Sequence, residues 1–210
     1  MTTSLVSLEL LASLVAFSHG SHQRITPYRV QPALESRGGG GSIDERPEVV
    51  ARRERVGDWE ADTIIGKHQK QAIVTLVERR TGFLCIKHVK QKTASAVGKA
   101  IIALLKPYKD QVHTITSDNG SEFAKHELVA KQLEADFFFA HPHSSWERGS
   151  NENTNGLIRQ YFPKGSDFST LRPKDIQDVM NRLNNRPRKR LGFQTPAEAF
   201  LTHINVALQG

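Results

Sequence analysis

Three runs of residues in the first part of the chain are rich in β-branched and apolar side chains. They cover 58–65, 71–78 and 83–89, and short turns containing Gly66 and Thr81-Gly82 separate them. Runs of this length with turn residues between them are typical of neighbouring antiparallel strands. The pattern therefore predicts a three-stranded antiparallel meander.

The hydrophobic spacing changes after the meander. Apolar residues recur at helical spacing in 93–106, where Val97 and Ile101 share a face, and Pro107 ends the helix. Short buried strands are predicted at 112–117 and 135–140, and further helices at 122–133, 151–163, 174–183 and 196–208. Strands reached through helical crossovers run parallel to the strand beside them. The order predicts an α/β fold with a mixed five-stranded sheet, three strands antiparallel and two parallel, flanked by helices.

Residues 1–42 do not follow these patterns and are expected to be an N-terminal appendage, with the domain covering 43–210. The segment 5–17 is apolar, but it is too short to span a bilayer, which needs about 20 apolar residues. Glu9 interrupts it and no basic residue precedes it, so a secretory signal is not expected. Residues 38–42 have the composition of a flexible linker.

Composition indicates a class of partner. The 210 residues carry a formal net charge of +7, which favours a polyanion, and they contain one cysteine, Cys85. A single cysteine excludes an intramolecular disulfide framework and a cysteine-rich zinc module, and it indicates a reducing compartment. We therefore expect a cytoplasmic protein with no membrane partner.

Most of the positive charge lies in one segment. Residues 157–190 hold nine basic and three acidic side chains, whereas the rest of the chain is nearly neutral. The run 186–190 favours a phosphate-binding track, and the alternative is a solvated basic face that serves solubility. The basic residues of the run are Arg186, Arg188, Lys189 and Arg190.

Three acidic residues lie where the predicted sheet would open a crevice. Asp62 is on the first predicted strand, Asp118 follows the fourth, and Glu152 begins the helix after the last strand. The carboxyl ends of adjacent parallel strands are the usual place for such a crevice. Three carboxylates repel one another unless a divalent cation is bound, and oxygen ligands select Mg²⁺ or Mn²⁺. A pair of such ions promotes in-line displacement at a phosphodiester.

Each of these residues also has another interpretation. Asp-Asn-Gly is a common turn string, which would explain Asp118, and the helix dipole favours a glutamate in a first turn, which would explain Glu152. Alternation along a strand places Asp58, Glu60 and Asp62 on one face, so periodicity does not choose among them. The joint pattern of the three positions is what favours a metal site.

Four motifs carry a resemblance to a known family. They are Trp59-Glu-Ala-Asp62, Ser117-Asp-Asn-Gly-Ser-Glu-Phe123, Glu147-Arg-Gly-Ser-Asn-Glu-Asn-Thr-Asn-Gly-Leu-Ile-Arg-Gln-Tyr-Phe-Pro163, and Leu183-Asn-Asn-Arg-Pro-Arg-Lys-Arg-Leu-Gly-Phe193 before Thr195-Pro-Ala-Glu-Ala-Phe200. Over 43–200 the sequence resembles the catalytic core of bacterial DDE transposases of the insertion-sequence-30 family and, more distantly, the retroviral integrase core. The resemblance implies a ribonuclease-H-like fold, which agrees with the strand order predicted above.

The resemblance also implies site residues and partners. It makes Asp62, Asp118 and Glu152 the catalytic carboxylates of a two-metal site that binds Mg²⁺, with Mn²⁺ as a substitute. The expected partners are double-stranded DNA, as transposon ends and target, and further copies of the chain in a dimer or higher oligomer, at the nucleoid of a bacterial cell. The residues expected to bind DNA are the basic run together with Asn119, Arg148, Asn155 and Arg159. Helical spacing places Asn155 and Arg159 on the same face as Glu152.

The resulting hypothesis is a DNA transposase catalytic domain. It would hydrolyse the phosphodiester at a transposon end and join the exposed 3′-hydroxyl to target DNA. One alternative is a truncated remnant that only binds DNA or dimerises, because family members carry an upstream helix-turn-helix region and residues 1–42 contain nothing similar. The other is a ribonuclease-H-like nuclease that only hydrolyses DNA with the same carboxylates.

Overall fold

A computed structural model describes residues 40–142 and 144–207 of the chain, so the expectations for 1–39 lie outside the described residues. The strands are β1 (Gly41–Ser42), β2 (Asp58–Ile65), β3 (Ala72–Glu78), β4 (Leu84–Val89), β5 (Thr114–Ser117) and β6 (Asp136–Phe139). The α-helices are α1 (Glu48–Arg52), α2 (Ala94–Leu105), α3 (His126–Leu133), α4 (Gly149–Ile158), α5 (Pro173–Asn184) and α6 (Pro196–Ala207).

All six strands belong to one mixed sheet with the order β1-β6-β5-β2-β3-β4. β2, β3 and β4 are antiparallel neighbours, β5 runs parallel to β2, and β6 runs parallel to β5. The predicted α/β fold, a ribonuclease-H-like mixed sheet flanked by helices, is confirmed.

The sheet has one strand more than the five predicted. Gly41–Ser42, assigned from composition to a linker, pairs in parallel with Phe138 and Phe139 of β6 at the edge of the sheet. This pairing uses main-chain groups alone, so it leaves no periodic pattern of side chains in the sequence.

Two helices differ from their predicted bounds by more than one residue, and a third helix, α1, was not predicted. α3 begins at His126 because residues 121–123 form a 3-10 turn instead of the first turn of the α-helix. α4 begins at Gly149 and ends at Ile158, before the predicted end at Pro163. None of the helices in the described residues is long and apolar enough to cross a bilayer.

Both faces of the sheet are covered by hydrophobic core. On one face Trp59 and Ala61 of β2 pack in a cluster with residues of α2, α3 and α6, including Ile101, Leu133 and Phe200. On the other face Ile64 of β2 packs in a cluster with residues of α4 and α5, including Ile158 and Val179. The alternation along β2 therefore turns Asp58, Glu60 and Asp62 towards the face that carries α4.

Candidate active site

Asp62 and Asp118 lie close together on two central strands of the sheet, within reach of the same arginine. β2 and β5 are parallel neighbours, and Glu60 pairs with Thr116 in their register. Asp62 follows Glu60 by two residues on β2, and Asp118 directly follows Ser117, the last residue of β5. The side chains are 22% and 43% exposed, so both carboxylates are accessible in the crevice. The structure brings together two of the three acidic residues that the sequence singles out.

The carboxylate of Asp62 is held by its neighbours on both oxygens. Oδ1 accepts a hydrogen bond from the Thr63 main-chain N–H at 2.8 Å, and Oδ2 accepts one from Nδ2 of Asn155 at 2.9 Å. Burial raises the pKa of Asp62 above its ordinary value, and the positive charge of Arg148 opposes that rise. Asp62 is therefore oriented by α4 as well as by its own strand.

Asp118 lies in a turn that its own side chain helps to close. Its Oδ1 accepts a hydrogen bond from the Gly120 N–H at 3.0 Å. A β-carbon at Gly120 would lie 2.6 Å from Oε2 of Glu122 and 2.9 Å from Oδ1 of Asp118, so a larger residue there would displace these two carboxylates. The Asp-Asn-Gly string thus forms a turn, as one interpretation of the sequence expected, and that turn places Asp118 in the crevice.

Glu122 connects this turn to β2 through a hydrogen bond with Thr63. The sequence patterns did not predict this role. Oε1 of Glu122 accepts hydrogen bonds from Oγ1 of Thr63 and from Nζ of Lys92, each at 2.9 Å. The hydrogen bonds to Lys92 and Thr63 lower the pKa of Glu122 against the opposing effect of burial, which is the largest single influence on it. The residue stands in the quoted Asp118 motif, but no periodicity indicates that it reaches the neighbour of Asp62.

Arg148 bridges the two aspartates. Its Nη2 lies 3.2 Å from Oδ2 of Asp118, and its Nη1 lies 3.6 Å from Oδ2 of Asp62. The arginine side chain is only 13% exposed, and its Nε and Nη1 atoms are buried without a hydrogen-bond partner. One guanidinium thus neutralises two carboxylates while part of its own hydrogen-bonding capacity is unused.

Glu152 is not part of this pair. It is exposed on the first turns of α4, and within the described residues it forms no hydrogen bond or ion pair. The described part of the chain also contains no group of three or more His, Cys, Asp or Glu residues arranged to hold a metal ion. The third carboxylate therefore stays a prediction from the sequence.

The other residues expected to bind DNA near the crevice contact the protein itself. Asn155 bonds to Asp62, and Nδ2 of Asn119 donates to the Ala140 carbonyl at 3.3 Å. Nη2 of Arg159 donates to the Ile65 carbonyl at 3.0 Å at the end of β2, and burial lowers its pKa. Asn155 and Arg159, the residue after the end of α4, both contact β2, whereas Glu152, which was predicted on the same helix face, is exposed.

The basic side chains of the run 186–190 are exposed or half-buried, and two of the arginines also donate to main-chain carbonyls. Arg188 donates to the Leu183 carbonyl at 3.3 Å, and Arg190 donates to the Arg80 carbonyl at 2.7 Å. Arg186 and Lys189 are exposed. The structure thus gives Arg188 and Arg190 a bracing contact and leaves Arg186 and Lys189 accessible to a phosphate backbone.

Burial and ion pairing separate the three acidic residues on one face of β2. Asp58 is 1% exposed and bonds to Nε of Arg55 at 2.9 Å and to Oγ1 of Thr114 at 2.8 Å. Glu60 is fully buried and forms an ion pair with Arg79. Of the three, Asp62 alone has a partly exposed side chain, at 22%, and it lies beside Asp118; which of them is catalytic stays a prediction.

The chain was compared with known proteins by sequence and by fold. It matches no family model. It is 56% identical over 163 residues to the transposase for insertion sequence element IS4351 of Bacteroides fragilis, covering 78% of this chain and 50% of that protein. It is 36% identical over 160 residues to the transposase InsI for insertion sequence element IS30A of Escherichia coli K12, covering 76% of this chain and 42% of that protein. The chain therefore spans about half the length of these relatives.

The fold is similar to that of a solved integrase domain. The catalytic core domain of BIV integrase superposes with a TM-score of 0.57 at 22% sequence identity, covering 72% of this chain and 98% of that chain. This likeness extends the agreement from sequence motifs to architecture. Over its matched residues the chain is a homologue of the insertion-sequence-30 family transposases and has the ribonuclease-H-like fold of an integrase catalytic core.

Proposed function

We propose that the chain is the catalytic core of a DNA transposase, which cleaves a phosphodiester at a transposon end and joins the resulting 3′-hydroxyl to target DNA. The observation that carries this proposal is the pair Asp62 and Asp118, two accessible carboxylates on adjacent parallel strands, one within β2 and one directly after β5, which share the guanidinium of Arg148. The homology to transposases supports the substrate, and the integrase-core fold supports the location of the site.

The donor set fits a divalent cation at the aspartate pair. The guanidinium of Arg148 balances the negative charge of both carboxylates. A bound Mg²⁺ or Mn²⁺ would balance the same charge. Asp62 and Asp118 would hold the metal, and Glu152 would join them from α4. When bound in a pair, such ions activate the attacking oxygen and stabilise the leaving one in an in-line displacement.

The protein's own residues hold the two aspartates in a fixed relation. Asn155 and the Thr63 N–H orient Asp62, while the Gly120 N–H orients Asp118. The Thr63 to Glu122 hydrogen bond connects the strand of one aspartate to the turn of the other. Such preorganisation matters because phosphoryl transfer depends chiefly on positioning and charge stabilisation.

The position of Arg148 leads to a prediction about metal affinity. Because its guanidinium competes with a cation for the same two carboxylates, Arg148→Gln should bind Mn²⁺ more tightly in the absence of DNA. We expect the Kd to fall about tenfold, equivalent to ~1.4 kcal/mol, measured by titration with electron paramagnetic resonance detection. Mn²⁺ should also raise the melting temperature of the variant more than that of wild type.

The matched control is Arg172→Gln, since Arg172 is exposed and pairs with Asp175 on another helix. It should leave the Mn²⁺ affinity at the wild-type value. An unchanged or weaker affinity in Arg148→Gln would show that Arg148 does not compete with the metal.

The two kinds of basic residue in the run should behave differently when replaced. Lys189→Ala should weaken binding to a random-sequence duplex and lower the salt slope by about one phosphate contact, with no change in melting temperature. Arg190→Ala should lower the melting temperature because Arg190 braces the Arg80 carbonyl in the β3–β4 turn. Fluorescence anisotropy at several salt concentrations and thermal unfolding measure the two effects. Wild-type affinity and salt slope in Lys189→Ala would remove this residue from the interface.

Product analysis tests the proposed function itself. A labelled duplex with a recessed 3′-hydroxyl, copied from an end of the IS4351 element, is incubated with supercoiled plasmid, Mg²⁺ or Mn²⁺, and the full chain. The proposal predicts label joined covalently to plasmid. Nicked plasmid without joined label would favour the nuclease, and DNA binding without either product would favour the remnant. Adding the part of the IS4351 transposase that this chain does not match tests whether joining needs a separate end-binding region.

A further inference from the structure

We propose that Glu60 is a positioning residue for the reaction: its buried carboxylate sets the first turn of α4 and thereby the place of Glu152 relative to Asp62 and Asp118. This inference rests on the proposed function above. It gives Glu60, which lies between Asp58 and Asp62 on one face of β2, a role in the reaction. Neither the motifs nor the comparisons assign a role to this residue.

The contacts of Glu60 connect the sheet to the start of the helix. One carboxylate oxygen pairs with Arg79 of the segment after β3, and Oε2 accepts the main-chain N–H of Asn151 at 2.9 Å. Asn151 is the third residue of α4, and the N–H groups of a first helical turn have no partner within the helix. A carboxylate at this end of a helix is also favoured by the helix dipole.

Few other hydrogen bonds hold the first turn of α4 in place. Its N-terminal flanking residue, Arg148, provides no side-chain cap. Within the described residues, Oγ of Ser150 and both amide atoms of Asn151 are buried without a hydrogen-bond partner. The bond from Asn151 to Glu60 is therefore a principal link between this turn and β2.

One strand thus carries both the site and the group that places the helix. Asp62 lies two residues after Glu60 on β2, and Glu152 directly follows Asn151 on α4. A shift of α4 along this contact would change the position of Glu152 relative to the aspartate pair. Misplacement of a catalytic group by about 1 Å costs on the order of a hundredfold in rate.

Asp58 provides a matched control on the same strand. It is buried like Glu60, at 1% against 0% exposure, and it also pairs with an arginine, Arg55. Its contacts are to Arg55 and Thr114, and none of them is to α4. Replacing Asp58 therefore reports what the loss of a buried ion pair in β2 does to the fold alone.

The test compares Glu60→Gln, which keeps an acceptor for the Asn151 N–H, and Glu60→Met, which removes it, with Asp58→Asn and Asp58→Leu. Strand joining is measured with the labelled duplex and plasmid at a temperature where each variant is folded. We expect kcat to fall about tenfold in Glu60→Gln and about a hundredfold in Glu60→Met, with KM for the duplex unchanged. Both Asp58 variants should lower the melting temperature and keep the wild-type kcat.

Amide hydrogen exchange provides a readout that does not need activity. Exchange of the Asn151 and Glu152 amides should speed up in both Glu60 variants, more in Glu60→Met, and stay at the wild-type rate in both Asp58 variants. Unchanged exchange in the Glu60 variants would overturn the inference. So would a loss of kcat that parallels the loss of melting temperature in the same way in the Glu60 and the Asp58 variants. If wild type joins no DNA, the proposed function fails while the exchange result still decides the role of Glu60. If Glu60→Met does not fold, Glu60→Gln decides by the same two measurements.

Discussion

Asp118→Asn should lower the rate of metal-dependent cleavage and joining by at least about a thousandfold, equivalent to ~4 kcal/mol of transition-state stabilisation. The amide is nearly isosteric with the carboxylate and keeps an oxygen to accept the Gly120 N–H. It carries no negative charge, so it is a poor ligand for Mg²⁺ and leaves Asp62 as the only aspartate of the pair. The rate is measured with the labelled duplex under single-turnover conditions.

The fold should not change in this variant. Asp118 is 43% exposed, and its removal relieves repulsion with Asp62 at the same time as it weakens the contact with Arg148. Asp110→Asn is the control, because Asp110 is exposed and lies in the segment between α2 and β5. Cleavage by folded Asp118→Asn within tenfold of the Asp110→Asn rate would contradict the assignment.

Phe200→Ala should destabilise the domain by about 3–5 kcal/mol, the usual cost of truncating a buried phenylalanine. Phe200 is fully buried, stacks on Phe83 with ring centroids 4.3 Å apart, and meets Trp59 edge-on at 5.7 Å. It is the residue by which α6 joins this aromatic cluster on the sheet face opposite α4. For a domain of this size we expect the melting temperature to fall by roughly 10 °C.

Leu128→Ala is the control for Phe200→Ala. Leu128 is 47% exposed on α3, so truncating it should change stability by less than about 1 kcal/mol. Calorimetric unfolding of both variants measures the difference. A Phe200→Ala protein as stable as Leu128→Ala would mean that α6 does not contribute to the core.

The meander and the helices with strong periodicity were predictable from sequence. The bounds of β2 match the run 58–65, and α2 matches its predicted span to within a residue of either end. These elements have apolar residues on the faces they bury, so the pattern and the packing carry the same information. The parallel placement of β5 and β6 followed from the order of strands and helices.

Elements without a side-chain pattern were missed. β1 consists of glycine and serine and is held by main-chain pairing with β6. α1 is short and contains two valines, which favour strands, and it is anchored by the Val50 carbonyl accepting from Nε of Arg79. Such contacts between distant parts of the chain leave no local signal.

The candidate site was predictable in part. The family motif indicated Asp62 and the Asp-Asn-Gly string indicated Asp118, and the structure brings the two side chains together around Arg148. The separate roles of Asp58 and Glu60 could not be read from alternation, because they depend on whether an arginine or a helix end meets each carboxylate. The internal contacts of Arg159 and Arg190 likewise depend on carbonyl groups far away in sequence.

Anomalous scattering from crystals of the chain soaked in Mn²⁺ locates a bound cation without requiring DNA or turnover. We expect a peak bonded to carboxylate oxygens of both Asp62 and Asp118, at about 2.2 Å, with the Arg148 guanidinium moved away from them. A Mn²⁺ peak elsewhere on the molecule, with Arg148 still bridging the two aspartates at saturating metal, would contradict this expectation.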